Sequence, residues 1–157
     1  GVPEWAAESF QSLLFQVAGL TLAVPLAKLN GVTPWDLEQV TEMPGHSRLF
    51  LGLYPYHGTN AKVADTAQVV LPPDRLARLD GDPAGRISHL VVIGEGQWGL
   101  ACSAIGEVVS LGPQDVKWRS ASGKRPWLAG TVIQHMCALL DVDALITLLN
   151  EGTPDAA

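Results

Sequence analysis

A chain of 157 residues is long enough for one domain, or for two small lobes that share a core. Its formal net charge of −6 excludes a phosphate-tracking surface for nucleic acid, which needs clustered Lys and Arg; the densest basic stretch, residues 117–125, is short. With 47% apolar and only 17% charged residues, the chain can bury a sizeable core and still leave apolar surface for a partner.

The start Gly1-Val2-Pro3, without Met, predicts a C-terminal piece of a longer protein, with Gly1 a cloning remnant and residues 1–12 a lead-in. From Leu13 the apolar residues alternate. Leu13, Phe15 and Val17 take one face, and after Ala18-Gly19 so do Leu20, Leu22 and Val24. A period of two around a Gly turn predicts an antiparallel hairpin. Residues 35–43 are ambiguous: Thr33-Pro34 can start a helix, but Val40 and Thr41 are β-branched and Pro44 stops it. Residues 49–56 read as a strand, 56–58 as a turn, and 61–65 as a short strand. Residues 66–71 read as one helical turn, ended by Pro72-Pro73.

Residues 76–86 combine charge with turn formers and predict a linker. Beyond it, strands are expected at 87–93, 97–103 and 107–111, then a polar loop at 120–125 and strands at 128–134 and 136–140. Val142, Leu145, Ile146 and Leu149 fall at helical spacing, with Asp141 or Asp143 placed to cap the helix. Many short strands with Gly turns predict a barrel or sandwich. No apolar run approaches the ~18 residues of a membrane span. Cys102 and Cys137 lie in apolar strand-like runs and are expected as buried free thiols in a reducing compartment.

Little in the chain invites catalysis. Residues 94–99 (GEGQWG) fit G-x-G-x-x-G after an apolar strand. A dinucleotide site also needs a helix opening at the third glycine, whereas the following residues alternate as a strand does. A hairpin turn is the expectation, and a nucleotide-binding enzyme on Gly94–Gly99 is the alternative, which requires residues 98–109 to be helical. His135 and Cys137 would share one strand face, but a packed cysteine beside a half-exposed histidine explains them more simply. His46, His57 and His89 form no ligand spacing. The expectation is no catalytic residue, no cofactor and no metal.

The ordered set of motifs resembles the CheW-like domain of bacterial chemotaxis. It begins with residues 14–26 (LFQVAGLTLAVPL), followed by Pro44-Gly45, 50–52 (FLG) and Gly58 leading to 62–65 (KVAD). Then come 97–102 (QWGLAC), 105–111 (IGEVVSL), 128–130 (LAG) and 139–145 (LLDVDAL). The resemblance covers about residues 13–150. It implies an all-β fold of two SH3-like five-stranded β-barrel lobes around a shared core, with a short C-terminal helix. The lobes are expected at about 13–75 plus a C-terminal return, and at about 87–135, with 151–157 a tail. It also implies a non-catalytic adaptor that binds the regulatory domain of the histidine kinase CheA and the tips of chemoreceptors, with CheW a further partner. Residues 19–26 (GLTLAVPL) and 125–130 (RPWLAG) are similar to the C-terminal domain of ParP-type proteins. These hold cytoplasmic signalling arrays at the cell pole and meet the ATPase partner ParC through an amino-terminal region. An ordinary CheW coupling protein is the alternative, as is a purely structural β domain.

Three positions depart from the family's pattern. Residues 55–58 (PYHG) stand where ordinary adaptors carry Asn-Leu-Arg-Gly, Gly31 stands for an acid that pairs with that arginine, and Ser103 stands for an Asp. Gly31 and His57 are therefore expected near each other, with Leu29 and Tyr56 supplying an apolar contact instead of a charged one. A second partner surface is expected around Trp98, with Leu100 on the same strand face and Trp127 nearby, because Trp is enriched in interface hot spots. The competing expectation is that this face packs into the barrel.

Overall fold

Ala18 and Gly19 (φ 48° and 87°) join β1 (Phe10–Val17) to β2 (Leu20–Pro25) in the left-handed two-residue turn whose twist suits paired strands. His57 and Gly58 (φ 46° and 79°) do the same for β4 (Phe50–Tyr56) and β5 (Thr59–Ala64). The remaining strands are β3 (Leu29–Pro34), β6 (His89–Ile93), β7 (Trp98–Cys102), β8 (Ala104–Leu111), β9 (Lys117–Trp118), β10 (Leu128–Val132) and β11 (Cys137–Leu140). Helices are few: α1 (Ala67–Val70), α2 (Pro73–Ala77) and α3 (Val142–Glu151). The computed structural model describes residues 1–44, 47–79, 81–120 and 123–152. The Pro44-Gly45 step, His46, the middle of the 120–125 loop and residues 153–157 of the tail thus lie wholly or partly outside the described residues.

The strands form two sheets. One has six strands in the order β8-β1-β2-β11-β10-β9, the other five in the order β3-β6-β7-β5-β4. β11 runs parallel to β2, pairing Ala138 with Leu22, so the end of the chain returns to its first hairpin. β5 runs parallel to β7, pairing Lys62 with Trp98. These are two SH3-like lobes around a shared core, with α3 packed into it. The strands group differently from the expected lobes of about 13–75 plus a C-terminal return and about 87–135. β6 and β7 complete the lobe of β3–β5, while β1 and β2 belong with β8–β11. Residues 76–86 are also not a plain linker. They carry the end of α2 and a 3-10 turn at Pro83–Arg86. There Arg86 clamps the fully buried Asp65 through two hydrogen bonds of 2.8 Å, and those bonds raise the guanidinium's pKa further. The clamp fixes the connection from β5 to β6 onto the end of β5.

Among the elements that differ from expectation are β3, α2, β9 and the end of β10 at Val132. β3 lies outside the expected strands, and it pairs with β6 from Leu29↔Ile93 to Pro34↔His89. Residues 35–43 hold one 3-10 turn, Leu37–Gln39, whose start Asp36 caps by accepting from the Glu38 N–H at 3.1 Å.

Packing explains the high apolar content. Alternate residues of the central strands feed different cores. Leu13, Phe15 and Val17 of β1 join Val91, Ile93, Trp98 and Leu100 in the shared core, with Leu145 and Leu149 of α3. Leu14 and Ala23 face the other way, into the six-stranded lobe with Val109, Val132 and Leu139. Val63, Leu90 and Ala101 fill the five-stranded lobe with Tyr54. Strands buried on both faces read as continuous apolar runs. Tyr54 also closes its lobe. Its hydroxyl donates to the Pro34 carbonyl at 3.0 Å and accepts from the Asp36 N–H at 2.8 Å, tying the sheet's two edge strands together.

Trp98 sits at the junction of both lobes and α3, fully buried, its indole N–H donating to Asn150 at 2.9 Å. Trp98→Ala is expected to cost about 3–5 kcal/mol in a denaturant titration, and Asn150→Ala about 1 kcal/mol. A melting curve unchanged by Trp98→Ala would refute this role.

Candidate docking surface

One end of the five-stranded lobe gathers three segments, and the strand directions dictate this. β5 and β7 are parallel, so the turns that precede them, at 57–58 and 94–97, lie at the same end. β3 begins opposite the end of β6, which brings Leu29, Asn30 and Gly31 there too. Asn30 accepts from the Gly96 N–H at 3.3 Å, joining the start of β3 to the 94–97 turn.

Tyr56 organises this end. A Cβ on Gly31 would collide with the Tyr56 hydroxyl, and a Cβ on Gly96 would lie 3.8 Å from its ring. His57 stacks on the same ring, centroid to centroid 4.2 Å with planes 6° apart. Gly31 and His57 are therefore linked through Tyr56. The glycine at 31 leaves the space that the hydroxyl fills, so an acid could not enter without displacing the ring. His57 is exposed, Tyr56 is half-buried, and Leu29 is half-buried against the shared core. The result is an aromatic and apolar surface, with the exposed Glu95 of the 94–97 turn at the same end.

The surface expected around Trp98 is not there. Trp98 and Leu100 are both 0% exposed and Trp127 is 4%. A partner surface there needs β7 to keep one solvent face, but every residue in it is buried, as the competing expectation of packing into the barrel required. Trp98, Leu100 and Cys102 face the shared core, and Ala101 faces the lobe interior. Lys62 covers the Trp98 ring, its Nζ 5.4 Å from the centroid.

Sequence reasoning missed a different apolar feature. Ile133 is 76% exposed and Met136 85%, both on the turn between β10 and β11. Parallel pairing of β11 with β2 sets this turn beside the Ala18-Gly19 turn, at one end of the six-stranded lobe. The segment 128–140 reads as nearly unbroken strand, and the turn contains no glycine; Met136 itself takes the left-handed conformation (φ 48°). Two apolar residues flanking Gln134-His135 were the available signal.

Residues 94–97 form the β6–β7 turn, and 98–109 are strand rather than helix, so the nucleotide-site alternative lacks its helix. Among the described residues no group of three His, Cys, Asp or Glu could hold a metal ion, and no helix is long and apolar enough to cross a membrane. His135 lies in a 3-10 turn and not on a strand face with Cys137. Burial pushes the Cys102 thiol up from 9.0 to about 12, against smaller opposing effects of backbone hydrogen bonds with Ala104 and His89. Burial raises Cys137 as well.

The CheW-like domain model matches residues 11–150, nearly the whole chain. The chain belongs to the CheW-like domain family. Among solved structures, this CheW-like domain is similar to the scaffolding protein TtCheW from Thermoanaerobacter tengcongensis, at TM-score 0.62 and 12% identity, over 83% of this chain and 86% of that one. At that identity the likeness speaks for the fold. No match was found among curated proteins.

Two measurements probe the site and its surroundings. Gly31→Ala is expected to cost about 1–3 kcal/mol through overpacking. In a Tyr56→Phe background, which removes the colliding oxygen, that cost should largely vanish. Additive effects in this double-mutant cycle would disprove the Gly31–Tyr56 contact. For the thiols, an unfolded chain ionises Cys102 near pH 9, but the folded one only near 12. The stability this confers is complete below pH 9 and is lost as pH rises toward 12. Cys102→Ala should therefore flatten the fall in melting temperature across that window. An unchanged slope would contradict the shift.

Proposed function

We propose that this CheW-like domain is a non-catalytic chemotaxis scaffold that couples the regulatory domain of CheA to chemoreceptor tips. The observation that carries this reading is the end of the five-stranded lobe. Three segments held by strand pairing present Leu29, Tyr56 and His57 on a rigid frame without a catalytic constellation. The Tyr56–Gly31 contact takes the place of the acid–arginine pair of ordinary adaptors. It favours a contact based on shape and apolar area over one based on charge. The exposed Ile133 and Met136 give the other lobe an apolar end of its own. A scaffold that engages two partners needs two such ends.

The same departure supports a ParP-type domain over an ordinary CheW, working in the cytoplasm at polar arrays. Contact with ParC would then come through an amino-terminal region outside this chain. A fluorescent fusion of the full-length protein should sit at the pole only in cells that retain ParC.

Binding to isolated CheA regulatory domain and to a receptor-tip fragment tests the main reading by calorimetry. Leu29→Arg places a charge on the docking end and should weaken at least one complex about tenfold or more. Its melting temperature should stay near that of the parent, since Leu29 is only half-buried. Full affinity for both partners would remove this end from the interface.

A further inference from the structure

A groove of about 540 Å³ lies at the seam between the lobes, away from the docking end. Leu49, which leads into β4, and Val69 of α1 line it from the five-stranded lobe. Trp127, just before β10, and Leu148 of α3 line it from the other side. Its walls also carry Arg48 on the first lobe, and Lys124 and Arg125 on the second. All three cations are exposed, and none takes part in an ion pair among the described residues. In a chain of net charge −6 with ten Lys and Arg, three unpaired cations around one mainly apolar lining form a local reversal of sign.

The geometry points to this groove as the docking site for an acidic amphipathic helix of a partner protein. Each part of that description has its own ground. Apart from the cations the lining is mainly apolar, with Ser47 and Gln68 beside Leu49, Val69 and Leu148, so the occupant presents an apolar stripe. Cations stand on both sides, so acids flank that stripe. The groove is lined by side chains of α1, α3 and the leads into β4 and β10, so no strand edge is offered for pairing, and a helix fits better than an added strand. A concave seam also suits a peptide better than a flat lipid surface. Trp127 lines the groove although only 4% of it is exposed, so most of the apolar lining comes from Leu49, Val69 and Leu148. The site is separate from the end that carries Leu29, Tyr56 and His57, so it stands or falls independently of the kinase and receptor reading.

The test uses the whole chain, isotopically labelled, titrated in an NMR spectrometer. The probe is a synthetic helical peptide of about 18 residues, with Leu at i, i+3, i+4 and i+7 and Glu on both flanks. It should bind more tightly than about 1 mM. The largest shifts should fall on Val69, Arg125, the Trp127 indole and Leu148. The variant Arg48→Glu/Lys124→Glu/Arg125→Glu should lose about tenfold in affinity or more, and about 0.5 M salt should weaken the parent complex similarly. Val69→Ser, which leaves the charges intact, should also weaken binding, while Leu29→Arg should leave it unchanged. Equal binding of a peptide with Lys for Glu would overturn the proposal. So would shifts centred on Tyr56, or binding only to phosphatidylglycerol vesicles. The cations have one structural rival use, since the last turn of α3 has no basic residue of its own. A triple variant that melts earlier but binds the peptide as the parent does would assign them to that helix end and overturn the docking site.

Discussion

The shared core around Trp98 is the constraint on which the rest depends. Neither sheet can bury its apolar strands alone, because β1, β2, β6, β7 and β11 each carry large apolar side chains toward the seam. Trp98 spans that seam, and its bond to Asn150 fixes α3 over it. With the seam filled, each lobe needs only a small interior of its own. The clusters around Leu139 and around Tyr54 are correspondingly smaller than the central one. Removing the shared core would expose one face of five strands at once, so the two lobes are expected to unfold together.

The same constraint decides where function can reside. Central strands that are buried on both faces have no side chains to offer a partner. What remains are turns, sheet ends and the seam's open edges. This is why the Leu29, Tyr56 and His57 segment and the Ile133–Met136 turn lie at lobe ends. It is also why the groove beside Trp127 is lined by helices and connecting segments rather than by strand faces. The turns can carry exposed side chains because paired strands hold both of their ends.

Strand alternation and Gly turns made the two hairpins and the terminal helix legible, and Asp141 caps that helix as its position suggested, accepting from the Ala144 N–H at 3.1 Å. What alternation could not supply was the number of buried faces. WGLAC at 98–102 looks the same whether one face or two are covered. Only the neighbours of β7, namely β5 and β6 beside it and α3 above it, decide that. The lobe boundary failed for a related reason. Local turn residues at 76–86 mark a crossover, but which strands pair on either side of it is set by long-range register. β3 contains Asn30-Gly31, a pair of turn composition, while the glycine is there to admit Tyr56.

The Gly31–Tyr56 contact shows how a surface can change character without a change of frame. An acid and an arginine at such positions would attract each other across two strands and remain sensitive to salt. A tyrosine hydroxyl seated over a glycine needs no charge, and a histidine stacked on its ring covers the other side. The backbone path is indifferent to the exchange, since the turn at 57–58 and the pairing of β3 with β6 do not involve those side chains. The frame can therefore be kept while the contact shifts from ionic to aromatic. Under the proposed docking at this lobe end, a partner matched to the ionic version would find neither of those two charges here.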